Sequence, residues 1–108
     1  MQKAEHLTIA TLAEKFGEPI HVVAGLFQDT INGLSKSKTV REHLNGKVAV
    51  LKFGRTIKRL RKQIDGDDDI TLGDIASAAG LPVEYVTTYF GVSMHNRGMP
   101  LTRVPEVS

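Results

Sequence analysis

The chain has 108 residues, 41% hydrophobic and 24% charged, with a formal net charge of +2, which is typical of one soluble folded domain. It contains no cysteine, so a disulfide framework, a thiol nucleophile and a cysteine-ligated metal site are excluded. It also has no apolar run long enough to span a membrane and no signal peptide, which predicts a cytoplasmic protein without membrane contact.

The first predicted element is a helix over residues 20–34. Its apolar residues recur three or four positions apart and form one stripe on a helix, namely Ile20, Val23, Phe27, Ile31 and Leu34. We expect this helix to end at Gly33 and the polar residues 35–38. A short helix over 39–44 follows, before the Asn45-Gly46 turn pair.

Residues 47–53 leave two interpretations open. Their β-branched content is compatible with a short strand, but Phe53, Ile57, Leu60 and Ile64 are spaced as on a helix. That helix would cover at least 55–64 and would place Gly54 inside it if it began at 47, at a cost of about 1 kcal/mol relative to alanine.

Positive charge is concentrated in residues 36–62, which hold ten Lys and Arg residues against the single acid Glu42, a net charge of +9. Residues 1–35 carry −2 and the remaining residues −5. On the predicted helix, one side carries the apolar residues and the opposite side carries Arg55, Lys58, Arg59 and Lys62. A basic face of this kind is typical of a phosphate-binding surface, although a solvated helix face has the same pattern.

The acidic residues 65–69 predict a turn that ends the basic helix. The following Thr71-Leu72-Gly73-Asp74 resembles a capping box, which marks the start of a further helix. After Gly91 the chain has Gly98, Pro100 and Pro105 and no apolar period, so residues 92–108 are predicted to form an extended or flexible tail.

The chain contains an internal repeat with an offset of 63 residues. When residues 12–27 are aligned with residues 75–90, five of the sixteen positions are identical. The matching positions are those that a helix-turn-helix needs: a small residue at the helix crossing, a glycine at the turn and a proline at the start of the second helix. We therefore predict helix-turn-helix-like units over about 8–34 and 71–90.

Residues 71–90 resemble the helix-turn-helix of bacterial transcription regulators, in its TetR-type version. The resemblance is carried by Ile75-Ala76, Ala79-Gly80-Leu81, Val86 and Tyr89-Phe90. It implies DNA recognition by the second helix of the unit. Only residues 91–108 follow the motif here, so the ligand-binding domain of the TetR family is not implied.

The candidate base-contacting residues are the outward positions of the second helices. In the second unit they are Pro82, Val83, Glu84, Tyr85, Thr87 and Thr88; in the first unit only His21 and Gln28 offer hydrogen bonds to bases. None of the six is basic, so affinity would come from the central basic segment. If both units bound DNA, their helices would enter successive major grooves about 34 Å apart.

No catalytic constellation is present, and the four histidines are scattered, so we predict no enzyme, no metal site and no cofactor. The expected fold is all-α, with one helical domain over 1–91 in which residues 36–64 connect the two units. We predict a small sequence-specific regulator of transcription, of phage or plasmid type, that binds double-stranded DNA as a homodimer. The alternative is an adaptor that binds RNA polymerase or another protein.

Overall fold

A computed structural model of the chain describes residues 4–99, and over that range it confirms an all-α fold. A short 3₁₀ turn, Ala4–His6, precedes six α-helices: α1 Ile9–Phe16, α2 Ile20–Lys36, α3 Lys38–His43, α4 Lys47–Gly66, α5 Leu72–Ala79 and α6 Val83–Asn96. None of these helices is both long enough and apolar enough to cross a lipid bilayer.

Three ambiguous or misplaced boundaries of the sequence prediction fall inside longer helices. Residues 47–53 are helical, since α4 is continuous from Lys47 through Gly54 to Gly66. Helix α2 passes Gly33 and ends at Lys36, and α6 passes the expected end of the domain and continues to Asn96. Because Ser93 and Met94 are buried, residues 92–96 belong to the folded domain rather than to a tail. The predicted tail beyond residue 99 lies outside the described residues.

Helices α1 and α2 form one hairpin, and α5 and α6 form another. In each hairpin a threonine hydroxyl caps the first helix, and a left-handed glycine ends it, Gly17 at φ 66° and Gly80 at φ 68°. A proline precedes the second helix in both. The predicted capping box at Thr71 and Asp74 is present, with hydrogen bonds in both directions of 3.0 Å.

The two hairpins meet at residues that are equivalent in the sequence alignment. Three pairs separated by 63 positions contact each other: Thr8 with Thr71, Phe27 with Phe90, and Thr30 with Ser93. The phenylalanine rings pack edge to face, with centroids 5.6 Å apart. Equivalent residues touch each other only near a two-fold axis, so the hairpins are related by an approximate two-fold rotation.

Helix α2 makes its most extensive contact with α6. Gly25, early in α2, lies against Arg97 after the end of α6, whereas Gly33, late in α2, lies against Tyr89, so the two helices run antiparallel. Arg97 Nε also donates a hydrogen bond of 2.8 Å to Asp29 Oδ2. The glycines within α2 thus give α6 side chains room to lie directly on its backbone.

Alanine should have opposite effects on stability at two helical glycines, Gly33 in α2, which contacts α6, and Gly54 in α4, which is exposed. A Cβ at Gly33 would lie 2.6 Å from Tyr89 Cδ1, whereas a Cβ at Gly54 would meet nothing within 4 Å. We expect Gly54→Ala to raise the free energy of unfolding by about 1 kcal/mol through helix propensity. Gly33→Ala should lower it by about 1 kcal/mol, because overpacking outweighs the same gain. Urea unfolding followed by circular dichroism measures both; equal stabilisation by both changes would contradict the close α2–α6 contact.

Candidate nucleic-acid interface

The basic side of α4 is built by the spacing of its apolar residues. Phe53, Ile57, Leu60 and Ile64 are buried and fix one face of the helix on the core. The opposite face is therefore solvent-exposed, and it carries the four predicted phosphate-contacting residues: Arg55, Lys58, Arg59 and Lys62. They span eight positions, or about 10 Å along the helix axis.

These four cations have no partners within residues 4–99. The ion pairs in that range are His6 with Glu5 and Arg97 with Asp29, and none of the four makes a side-chain hydrogen bond. Their charges are therefore available to an outside anion. The neighbouring Arg61 differs, because its Nη2 donates a 2.9 Å hydrogen bond to Asn32 Oδ1 and ties α4 to α2.

Gln28 does not join the candidate interface. Its Nε2 donates to Arg61 O at 2.8 Å and to Asp65 Oδ1 at 3.2 Å, so both amide hydrogens are used in packing α2 on α4. The prediction that Gln28 contacts bases is therefore not retained. His21 remains exposed in the first turn of α2.

Only part of the predicted base-contacting set on α6 is free. Pro82, Glu84 and Thr88 are exposed. Val83 and Tyr85 are partly buried against the core, and the Tyr85 ring stacks edge to face on His43 of α3, with centroids 5.6 Å apart. Thr87 is also partly buried, and its hydroxyl donates to Glu84 O at 3.2 Å.

The contact of α2 with α6 bears on the prediction that both second helices enter DNA grooves. Helix α2 meets α6 over Gly25 to Gly33, so the first turns of the two antiparallel helices, which carry His21 and Glu84, lie away from this contact and at its opposite ends. Entry of both helices into successive major grooves about 34 Å apart stays a prediction. Of the two helices, α6 keeps more exposed polar residues of the predicted set, Glu84 and Thr88.

The basic face of α4 and the exposed residues of α6 belong to helices with little direct contact. Both helices pack mainly on α2 and α5. The two predicted groups of site residues are thus linked through α2 and α5.

An exposed apolar end of α4 was not anticipated. Val48 is 67% exposed, Leu51 63% and Val50 41%, since the first two turns of α4 precede Phe53, where its contact with the core begins. An open pocket of about 480 Å³ lies there, lined by Gly46, Lys47, Val50 and Leu51. The sequence indicates this surface through the apolar run 48–51: four consecutive apolar residues point to all sides of a helix, so a helix that packs on the core with one face leaves some of them exposed.

No group of three His, Asp or Glu residues that could hold a metal ion is found in the part of the chain that the structure describes. Models of known protein families show no match to this chain, and neither curated proteins nor solved structures show significant similarity to it. The likeness of residues 71–90 to a TetR-type helix-turn-helix therefore stays a prediction.

Proposed function

We propose that this protein binds double-stranded DNA and that the basic face of α4 supplies the phosphate contacts. The observation that carries the proposal is the set of four exposed cations without partners, Arg55, Lys58, Arg59 and Lys62. Contacts with phosphates give DNA-binding proteins most of their sequence-independent affinity.

A role in sequence-specific regulation of transcription is proposed for the α5–α6 hairpin. The three-residue turn between these helices, Gly80 to Pro82, has the length and the left-handed glycine of a helix-turn-helix. Within α6, Glu84 and Thr88 can form hydrogen bonds with base edges, because both are exposed.

A salt titration of the wild-type chain tests DNA binding. The logarithm of the association constant for a mixed-sequence duplex should fall linearly with the logarithm of salt concentration, with a slope of about −3.6 if four phosphates are contacted. Fluorescence anisotropy of a labelled duplex measures this. Absence of binding at about 50 mM salt, where phosphate contacts are strong, would overturn the proposal.

A second candidate function is that of an adaptor for RNA polymerase or another protein. The observation that favours it is the apolar end of α4, with Val48 and Leu51 more than 60% exposed. Lys47 and Lys52 border these residues, so a complementary partner would carry both apolar and acidic side chains.

The expected homodimer stays a proposal as well. A stable interface needs about 800 Å² from each partner. An aromatic side chain buries about 150–250 Å², and an aliphatic side chain is smaller. Val48, Val50 and Leu51 together therefore cannot supply the area that a stable dimer interface needs. The apolar end of α4 therefore fits a short docking segment better than a stable dimer of this chain.

A further inference from the structure

A groove of about 410 Å³ lies between α3 and α6. One side is formed by Thr39 and Val40 of α3, and the other by the α6 residues Tyr85, Thr88, Tyr89 and Val92. The α6 residues are spaced three or four positions apart, so they belong to one face of the helix. The groove is distinct from the basic face of α4 and from its apolar end.

The geometry of α3 keeps this groove in place. The Ser37 hydroxyl accepts a 3.2 Å hydrogen bond from the Val40 amide and begins the helix, and the Val40 side chain is fully buried. At the other end of α3, His43 packs edge to face on Tyr85. Short helices are marginal alone, so these contacts with the rest of the fold position α3 beside α6.

The groove offers hydrogen-bonding groups that the protein itself does not use. The hydroxyls of Thr39, Thr88, Tyr85 and Tyr89 have no hydrogen-bond partner among residues 4–99. Each hydroxyl can donate one hydrogen bond and accept others. The two tyrosine rings and Val92 supply apolar and aromatic surface between them.

Among residues 4–99, no charged side chain lines the groove. An ionised group placed there would lose part of its hydration without gaining an opposite charge. An aromatic ring, in contrast, can pack on the tyrosine rings. The volume falls within the range of about 300–1,000 Å³ for small-molecule sites.

From these observations we propose that the groove between α3 and α6 binds a small uncharged molecule that contains an aromatic ring and an amide or hydroxyl group. Thr88, which the proposed function assigns to base contacts, also lines this groove, so the site is tested on the chain without DNA and does not depend on DNA binding. Its occupant would touch α3 and α6 together and so hold these two helices against each other.

The chain is well suited to a direct test, because Tyr85 and Tyr89 are its only tyrosines and it has no tryptophan. Their aromatic NMR signals therefore report on the groove alone. Three probes of similar size separate the contributions of the ring and the charge: benzamide, the anion benzoate, and cyclohexanecarboxamide, which lacks the aromatic ring.

We expect benzamide to shift the Tyr85 and Tyr89 signals of the full chain saturably, with a dissociation constant on the order of 1–10 mM for so small a molecule. Benzoate and cyclohexanecarboxamide should bind at least about ten-fold more weakly. No saturable shift with benzamide at about 50 mM, or equal binding of benzamide and benzoate, would overturn the proposal.

Variants locate the binding. Val92→Trp places a large ring in the groove and should abolish the benzamide shift. Val48→Trp, at a comparably exposed position outside the groove, should leave it unchanged. If Val92→Trp still binds benzamide like the wild type, or if the tyrosine signals move with protein concentration in the absence of a probe, the groove is not the small-molecule site proposed.

Discussion

Replacing Arg55, Lys58, Arg59 and Lys62 together by glutamine is expected to lower the affinity for duplex DNA by about 10³-fold at about 0.1 M salt. The physical reason is the release of condensed counterions: four lost phosphate contacts should reduce the salt slope by about 3.6. The side chains are exposed and unpaired, so the fold should not depend on them. Anisotropy titrations at several salt concentrations measure both quantities.

The matched control removes the same amount of charge elsewhere. Four exposed cations outside α4 serve for this: Lys15, Lys36, Lys38 and Arg41. Their replacement by glutamine changes the net charge by the same amount as the replacement of the four cations on α4. If α4 is the phosphate-binding surface, this control should keep most of the salt slope. Equal losses in the two variants would show that net charge, and not the face of α4, governs binding.

Removal of the Phe90 ring is expected to cause the largest loss of stability. Phe90 is fully buried at the centre of the α2–α6 contact and packs edge to face on Phe27. Phe→Ala changes in a core typically cost about 3–5 kcal/mol, while a whole domain is stable by only about 5–15 kcal/mol. Phe90→Ala should therefore lower the free energy of unfolding by about a fifth or more, as measured by urea denaturation.

Two further variants keep this prediction testable. Phe90→Leu retains most of the apolar volume and should lose less than about 2 kcal/mol, so it can be measured even if Phe90→Ala does not fold. Leu51→Ala removes an exposed side chain and should change stability by less than about 0.5 kcal/mol. A loss of less than 1 kcal/mol in Phe90→Ala would contradict the central place of this contact.

Local sequence signals predicted the elements whose determinants are themselves local. The cap at Thr71, the left-handed glycines at 17 and 80 and the 3.6-residue spacing of the apolar residues each act within a few positions of the chain. The region 47–53 stayed undecided because a short apolar run fits both a strand and a helix. Continuity with the amphipathic residues from Phe53 onward makes it helical.

Within the candidate interface, the helical period predicted which side chains are exposed. It did not predict which of them are left without a partner in the protein and can therefore bind a ligand. The outward positions of α4 were predictable because the buried residues of the same helix define its other face. The role of Gln28 was not predictable, because its side-chain amide donates hydrogen bonds to Arg61 and Asp65, which lie more than thirty residues away in the chain. Tyr85 likewise is partly covered by a residue of α3, His43, that has no periodic relation to it.

By itself, the sequence determined that this protein is helical, that its two hairpins share one design, and that its positive charge is concentrated in residues 36–62, with four cations on one face of a helix. These properties depend on the order of neighbouring residues. The tertiary structure decided that α2 and α6 pack antiparallel on each other and that the apolar start of α4 is left exposed. Such properties depend on which distant surfaces fill the core together, and no local pattern encodes that choice.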